Sequence, residues 1–271
     1  MLNTEKRNER SKNLDKMPIS EALSLINNEN TNAIAAVNKA MPAIERICEK
    51  MIECIKNGGR IFYVGAGTSG RLGLMDAAEC PPTFGVSKDL FNGIMAGGSG
   101  SMKSANESGE DDPVAAVNDI TAANIKGGDV LIGISASGGA AYVIGAIDYA
   151  KKIGAFTAAI VNNPCTPMEA HADITAVLDT GAEVLTGSTR LKAGTAQKIV
   201  LNMLSTVTMA NCGCVFENMM INLSPTNIKL RGRMIRILKE IIPENDSVCE
   251  ALLERSGWSL REAINIYKKE F

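Results

Sequence analysis

RIFYVGAGTSGRLGLMDAAECPPTFG, residues 60–85, is the stretch that decides the fold. A short apolar run, Ile61–Val64, predicts a buried strand. The glycine-rich segment Gly65–Gly70 predicts a tight turn, and the apolar spacing after it predicts a helix that stops at Pro81-Pro82. Strand, turn and helix in this order form the first half of a βαβ unit.

The turn predicts an anion site at the start of that helix. Its glycines let a ligand approach the backbone, and Thr68 or Ser69 can cap the helix, whose first N–H groups favour negative charge. The turn also matches G-x-G-x-x-G, but a dinucleotide site needs an acid at the end of the second strand. Asp89 has the right spacing but precedes that strand, so a monophosphate fits better than NAD.

The rest of the chain alternates strands with helices. Alternation of this kind predicts a five-stranded parallel sheet in a three-layer αβα sandwich. The predicted strands after the first are 91–96, 129–135, 156–161 and 173–178. The predicted helices include 18–28, 31–57, 140–153 and a long one that opens within 186–195 and runs to about 210.

Hydroxyl side chains recur where these strands end or helices begin. Ser135 ends the third strand and Ser137 follows it, and Ser188, Thr189 and Lys192 lie in the segment 186–195 that opens the long helix. Ligands of parallel sheets bind beyond the carboxyl ends of the strands. These loops, together with the first turn, predict a phosphate site on a small polar molecule.

Composition excludes several classes of function. A net charge of −2 gives no electrostatic basis for nucleic-acid binding. No apolar run is long enough to span a bilayer, and the polar N-terminus is unlike a signal peptide, so we expect a cytoplasmic protein. The seven cysteines are scattered without C-x-x-C spacing, which favours free thiols and no zinc site. We expect no cofactor and no metal.

Acid–base chemistry must then come mainly from carboxylates, Lys or Tyr, because His171 is the single histidine and sits in a segment typical of an exposed helix end. Glu79 lies unfavourably close to the negative end of its helix. The acidic run that contains Glu110 reads, from the residues alone, as a solvated loop in which Asp111 or Asp112 caps a helix from Pro113.

The two ends of the chain flank the sheet region. Residues 1–15 are charged and aperiodic, which predicts an extended arm. An apolar stripe along the helix 31–57 predicts burial against the sheet or against a second subunit. The tail, from about 226, predicts a compact helical appendage with its own small core.

Three motifs together resemble one known family. GAGTSGRLGLMDAAECPPTFGV, NESGEDD and TGSTRLKAGTAQKIVLNMLST look like the N-acetylmuramic acid 6-phosphate etherases of the sugar isomerase (SIS) group. The resemblance implies a SIS domain over 57–222, with an N-terminal arm and helices over 1–56. It also implies a shortened UBA-like region over 223–271.

This resemblance implies a lyase that needs no cofactor. Such an enzyme cleaves the ether between D-lactate and the phosphorylated amino sugar by elimination and then hydration. Glu79 matches the family's proton donor, and Glu110 matches its second acid/base residue. Thr68, Ser69, Ser135, Ser137, Ser188 and Thr189 are the phosphate-binding candidates, and Lys192 is a substrate contact candidate. Family members are homodimers with the site near the subunit boundary.

Two alternatives and one departure accompany this hypothesis. A sugar-phosphate-binding regulator of the glucokinase regulatory protein type would bind without catalysis, and an aldose–ketose isomerase would not release lactate. The segment Gly139-Ala140-Ala141 lacks the Arg and Pro that are usual in the family.

Overall fold

The computed structural model describes residues 1–102, 107–223, 225 and 228–270. Its sheet has five parallel strands, as predicted, and their order is β2-β1-β3-β4-β5. The strands are β1 Ile61–Gly65, β2 Phe91–Met95, β3 Val130–Ser135, β4 Phe156–Val161 and β5 Ile174–Val177. A short antiparallel pair, β6 Val215–Phe216 and β7 Met219–Met220, leads into the tail.

Ten α-helices lie within the described residues. Before and among the strands they are α1 Ile19–Glu29, α2 Thr31–Lys56, α3 Gly67–Phe84, α4 Pro113–Ala122, α5 Ala141–Lys152, α6 Pro167–His171 and α7 Lys192–Asn211. The tail holds α8 Ile228–Ile241, α9 Asp246–Arg255 and α10 Leu260–Glu270.

The helices cover both faces of the sheet, which confirms the three-layer prediction. One face packs against α2, α3 and α7, with Tyr63 and Ile132 in the shared core. The other packs against α4, α5 and α6, with Phe62 and Leu131 in the core. Because alternate residues of a strand point to opposite faces, these pairs fall on different sides.

The apolar stripe of α2 packs against this sheet rather than away from it. Val37, Ile44, Ile47 and Met51 are buried in the first core. Of the two alternatives for this stripe, the sheet rather than a second subunit, the structure shows burial against the sheet. Ile34 and Met41, in the N-terminal half of the stripe, are exposed.

The prediction that α3 stops at Pro81-Pro82 is wrong, because the helix continues to Phe84. The two prolines lack the N–H groups for two helical hydrogen bonds, yet Phe84 is buried in the core and holds the chain on its path. Gly85 then ends the helix in the left-handed conformation and donates its N–H to the Pro81 carbonyl oxygen at 2.9 Å. Glu79 therefore lies more than a turn before the end of the helix.

The N-terminal arm is not simply extended. It forms three short 3-10 turns, within 3–16, and Thr4 is buried. Its polar side chains find partners on the folded domain. Asn163, after β4, donates through Nδ2 to Thr4 Oγ1 at 2.9 Å and accepts from the Thr4 N–H at 3.1 Å. These contacts bind the arm across the carboxyl ends of β4 and β5.

The tail has its own core, as predicted. Leu252, Leu253, Leu260, Ala263 and Ile264 are buried in it, and Trp258 packs beside them. No helix within the described residues is both long and apolar enough to cross a membrane.

Candidate active site

The strand order creates a crevice between β1 and β3. The chain leaves β1 through α3 on one face of the sheet and leaves β3 through α5 on the other. In open parallel sheets, this switch point is where ligands bind, beyond the carboxyl ends of the strands. The loops at 65–70 and 135–139 flank it.

The β1–α3 turn brings backbone close to this crevice. A Cβ on Gly70 would lie 2.7 Å from both the Gly65 carbonyl oxygen and the Met95 Cβ, so only glycine fits. Ala66 is the N-cap residue, without a side-chain hydrogen bond, so the prediction that Thr68 or Ser69 caps the helix is wrong. Both residues lie inside the first turn of the helix, where the N–H groups have no intrahelical partners.

The β3–α5 loop holds its two serines in a tight turn. The Ser135 hydroxyl accepts the Gly138 N–H at 3.1 Å and lies 3.3 Å from the Ser137 hydroxyl. Gly138 has a φ of +67° and packs directly on Thr166, which leaves no space for a side chain. Ser135 is buried and Ser137 is half-buried, so the turn presents Ser137 more openly to the crevice.

The third hydroxyl-bearing loop, residues 186–191, leads into α7, which begins beside the β1–α3 turn. Ser188 and Thr189 lie in it, and the Thr189 carbonyl oxygen accepts the Gly194 N–H at 2.9 Å. A Cβ on Gly194 would lie 3.4 Å from Thr68 Cγ2. The first turn of α7, which follows this loop, therefore lies beside the β1–α3 turn, and phosphate binding by Ser188 and Thr189 stays a prediction.

A buried amide network, which sequence reasoning missed, supports the crevice. Ser69 donates to Gln197 Oε1 at 3.0 Å, and Gln197 donates to Asn162 Oδ1 at 2.8 Å. Asn162 donates to the Leu178 carbonyl oxygen at 3.1 Å. The available signal was Asn162 itself, a polar residue directly after the buried strand β4. The network ties α3, α7 and β4 together beneath the hydroxyl loops.

Lys192 has a partner outside the crevice. Its ammonium lies 2.6 Å from Glu29 Oε2, and the residue is only 3% exposed. The structure therefore places its charge in a buried ion pair behind the third loop.

Glu110 lies at the same edge of the sheet as the hydroxyl loops. A Cβ on its neighbour Gly109 would lie 3.2 Å from the Gly97 nitrogen, just beyond the end of β2. Asp112 caps α4 by accepting the N–H groups of Val114 and Ala115, which confirms that prediction. Asn106 of the NESGEDD motif lies outside the described residues, and so does the side chain of Glu107.

Glu79 lies elsewhere in the same chain. It is exposed on α3, twelve residues after Gly67, which corresponds to about 18 Å along the helix axis. Its neighbours Pro81 and Pro82 line a cavity with Phe91, the first residue of β2. Glu79 is thus near the amino ends of the strands, whereas Glu110 is at their carboxyl ends. One chain does not bring the two glutamates together.

His171 ends α6, as predicted, with its Nδ1 at 2.6 Å from Asp148 Oδ1. All seven cysteines are free. Among the described residues, no three His, Cys, Asp or Glu side chains are placed to share a metal ion.

Comparison with known proteins identifies the family. The glucokinase regulatory protein N-terminal SIS domain model matches residues 43–151, and the SIS domain model matches 112–207. A protein of Geobacillus sp. strain WCH70, named N-acetylmuramic acid 6-phosphate etherase, is 44% identical over 97% of this chain and 89% of its own length. A protein of the same name from Geobacillus thermodenitrificans is 46% identical over 99% of this chain and 86% of its own length. The chain belongs to the N-acetylmuramic acid 6-phosphate etherase family.

Solved structures agree on the fold of this etherase-family chain. The phosphoheptose isomerase from Neisseria gonorrhoeae superposes with a TM-score of 0.55 at 22% identity, covering 71% of this chain and all of that one. A putative phosphosugar isomerase involved in capsule formation from Bacteroides fragilis gives a TM-score of 0.57 at 18% identity, covering 77% of this chain and 98% of that one. At these identities the likeness concerns the SIS fold alone.

Proposed function

We propose that this protein is a carbon–oxygen lyase that cleaves the D-lactyl ether of N-acetylmuramic acid 6-phosphate, giving N-acetylglucosamine 6-phosphate and D-lactate. The observation that carries the proposal is membership of the etherase family, in a chain with two hydroxyl-bearing loops at the β1/β3 crevice and the start of α7 beside the first of them. The helix N-terminus and the hydroxyls of Thr68, Ser137 and Ser188 would bind the phosphate. The proposed setting is amino-sugar recycling in the cytoplasm, where free cysteines persist.

The reaction explains why two carboxyl groups suffice. Opening of the sugar ring gives an aldehyde, which makes the proton on C2 acidic. One carboxylate removes that proton, and a carboxylic acid gives a proton to the ether oxygen as lactate leaves from C3. Water then adds across the double bond. One of the two groups must hold a proton near neutral pH, and burial is the usual way to raise the pKa of a carboxyl group.

We propose that each active site takes Glu110 from one chain and Glu79 from a second copy. Glu110 lies at the carboxyl ends of the strands in its own sheet, and Glu79 is exposed near their amino ends. A second copy packed against α3 would bury Glu79 and supply the desolvation that the chemistry requires.

The surface around Glu79 is suited to such a partner. Met75 is 40% exposed on the same face of α3, and Ala78 and Pro82 are exposed beside Glu79. Met102 is 46% exposed at the edge of a neighbouring apolar groove of about 540 Å³. An exposed apolar patch of this kind is typical of a subunit interface. Light scattering at working concentration would test the dimer, and a monomeric mass would count against it.

The direct test is to incubate the protein with N-acetylmuramic acid 6-phosphate and to assay D-lactate. In D₂O, the product should carry deuterium at C2, because the removed proton exchanges with solvent before hydration. Release of lactate without label at C2 would contradict the elimination route, and no release at all would contradict the proposed activity.

A second candidate function has one observation on its side and is outweighed by the relatives, which are named etherase. The match to the glucokinase regulatory protein SIS model suggests a protein that binds a sugar phosphate without changing it. Retention of both Glu79 and Glu110 favours the enzyme. Calorimetry with the substrate separates the two, since a regulator would bind and leave the ether intact. An aldose–ketose isomerase would convert a sugar phosphate without releasing lactate.

A further inference from the structure

A cluster of buried charges lies behind the third hydroxyl loop. Glu183 is fully buried, Lys192 is 3% exposed and Glu29 is 4% exposed. They come from three separate segments: the loop after β5, the first residue of α7 and the end of α1. Charged residues are rarely buried so completely unless they are paired.

Lys192 is held at both ends within this cluster. Its ammonium contacts Glu29 Oε2 at 2.6 Å, while its backbone N–H donates to Glu183 Oε2 at 3.3 Å. Glu183 Oε1 also accepts the Ala193 N–H at 2.9 Å. Eight residues separate Glu183 from Lys192, so the Glu183 carboxylate joins the two ends of the loop between them.

The N-terminal arm completes the cluster. Asn8 Nδ2 donates to Glu29 Oε2 at 3.0 Å and to the Ala182 carbonyl oxygen at 3.3 Å. Arg10 Nη1 lies 2.9 Å from Glu29 Oε1. Burial alone would raise the pKa of Glu29, but Lys192, Asn8 and Arg10 outweigh it and hold that pKa below its usual value. Glu29 is therefore a charged acceptor that joins the arm to α7.

Stability alone is a weak reason for such a cluster. A buried ion pair costs much of its attraction in desolvation, and an apolar replacement of both partners is often as stable. The cluster instead fixes the position of the loop between Glu183 and Lys192. The loop that it closes carries Ser188 and Thr189. The Thr189 carbonyl oxygen accepts the N–H of Gly194, a residue in the first turn of α7 that lies beside Thr68.

We infer that Lys192 and Glu29 are positioning residues for substrate binding. They hold the loop of Ser188 and Thr189 and the start of α7, which lies beside the β1–α3 turn, without touching the substrate. The inference rests on the proposed function, and it assigns Lys192 a role different from the substrate contact suggested by its place in the motif. The N-terminal arm then helps to hold this loop in place through the contacts of Asn8 and Arg10 with Glu29.

The test compares Lys192→Met, Glu29→Gln and the double variant with wild type. Lys192→Met removes the ammonium that faces Glu29, and Glu29→Gln removes the negative charge that faces Lys192. Each variant leaves the remaining buried charge less well compensated, so the loop should lose its fixed position. We expect KM to rise about tenfold or more with kcat changed much less, since the loss of one hydrogen bond to a charged group is of this size. Because the two residues act as one unit, the double variant should be no worse than the poorer single variant.

The matched control is Lys151→Met, which removes a half-exposed lysine from its ion pair with Asp173 at 2.8 Å. This control should leave both kinetic constants unchanged. A large loss of kcat in Lys192→Met with KM unchanged would overturn the inference in favour of a catalytic lysine. Additive losses in the double variant, or unchanged kinetics in both single variants, would also overturn it.

A second readout does not depend on the proposed activity. Amide hydrogen exchange without substrate should become faster over 186–194 in Lys192→Met and Glu29→Gln, and not in Lys151→Met. Unchanged exchange there would refute the positioning role. A wild-type protein that releases no D-lactate would refute the proposed function, while the exchange measurement would still decide the inference.

Discussion

Mixing two inactive variants tests whether the active site is shared between chains. Glu79→Gln and Glu110→Gln should each fold normally and lose most turnover, since each removes one proton-transfer group. Glu79 lies about 18 Å along α3 from the turn that faces the crevice, at the other end of the sheet from Glu110. If the site is composite, a mixed dimer contains one intact site and one site with both substitutions.

The expected magnitude follows from this pairing. Random exchange between equal amounts of the two variants makes half of the dimers mixed, and each mixed dimer has one working site of two. Activity should therefore return to about one quarter of the wild-type value per chain. Isolation of the mixed dimer with two different affinity tags should raise it to about one half.

The assay is D-lactate release from N-acetylmuramic acid 6-phosphate after the variants are unfolded and refolded together. The control mixes Glu79→Gln with the double variant, in which no pairing restores an intact site. If tagged mixed dimers form and remain as inactive as the parents, both glutamates belong to one chain's site and the composite arrangement is refuted.

Three further predictions follow from the described contacts. Burial raises the pKa of Asp76 from 3.8 to about 6, against a hydrogen bond from Ser205 and the charge of Lys198. The folded state thus keeps a proton that the unfolded state loses. The free energy of unfolding should fall by about 3 kcal/mol as pH rises from about 4 to about 7. In urea melts, Asp76→Asn should make the free energy of unfolding less dependent on pH, and an unchanged pH dependence in this variant would contradict the prediction. Gly70→Ala should lower the free energy of unfolding by about 1–3 kcal/mol, because its Cβ meets the Gly65 carbonyl oxygen, whereas Gly232→Ala, with open space around it, should not; equal melting temperatures would argue against the close approach. Ser137→Ala should raise KM about tenfold through a lost phosphate hydrogen bond, with exposed Ser24→Ala as the control; an unchanged KM would remove Ser137 from the phosphate site.

The C-terminal end of α3 shows where local reasoning failed. The pair Pro81-Pro82 predicts a stop because proline lacks an N–H, yet the helix continues to Phe84. Burial of Phe84 against the sheet compensates for the missing hydrogen bonds, and that burial depends on residues distant in sequence. The capping prediction for Thr68 or Ser69 failed similarly, since the Ser69 hydroxyl donates to Gln197 on α7.

The sequence by itself determined the parallel sheet, the order of its elements and the loops that carry hydroxyls. Periodicity, glycine placement and turn residues are local properties, and in parallel sheets they also fix which loops share the carboxyl edge. The motifs determined the family. Only the tertiary structure decided which groups meet: it paired Lys192 with Glu29, 163 positions apart, and it separated Glu79 from Glu110 within one chain. Contacts between distant segments depend on packing, and packing is a property of the whole fold.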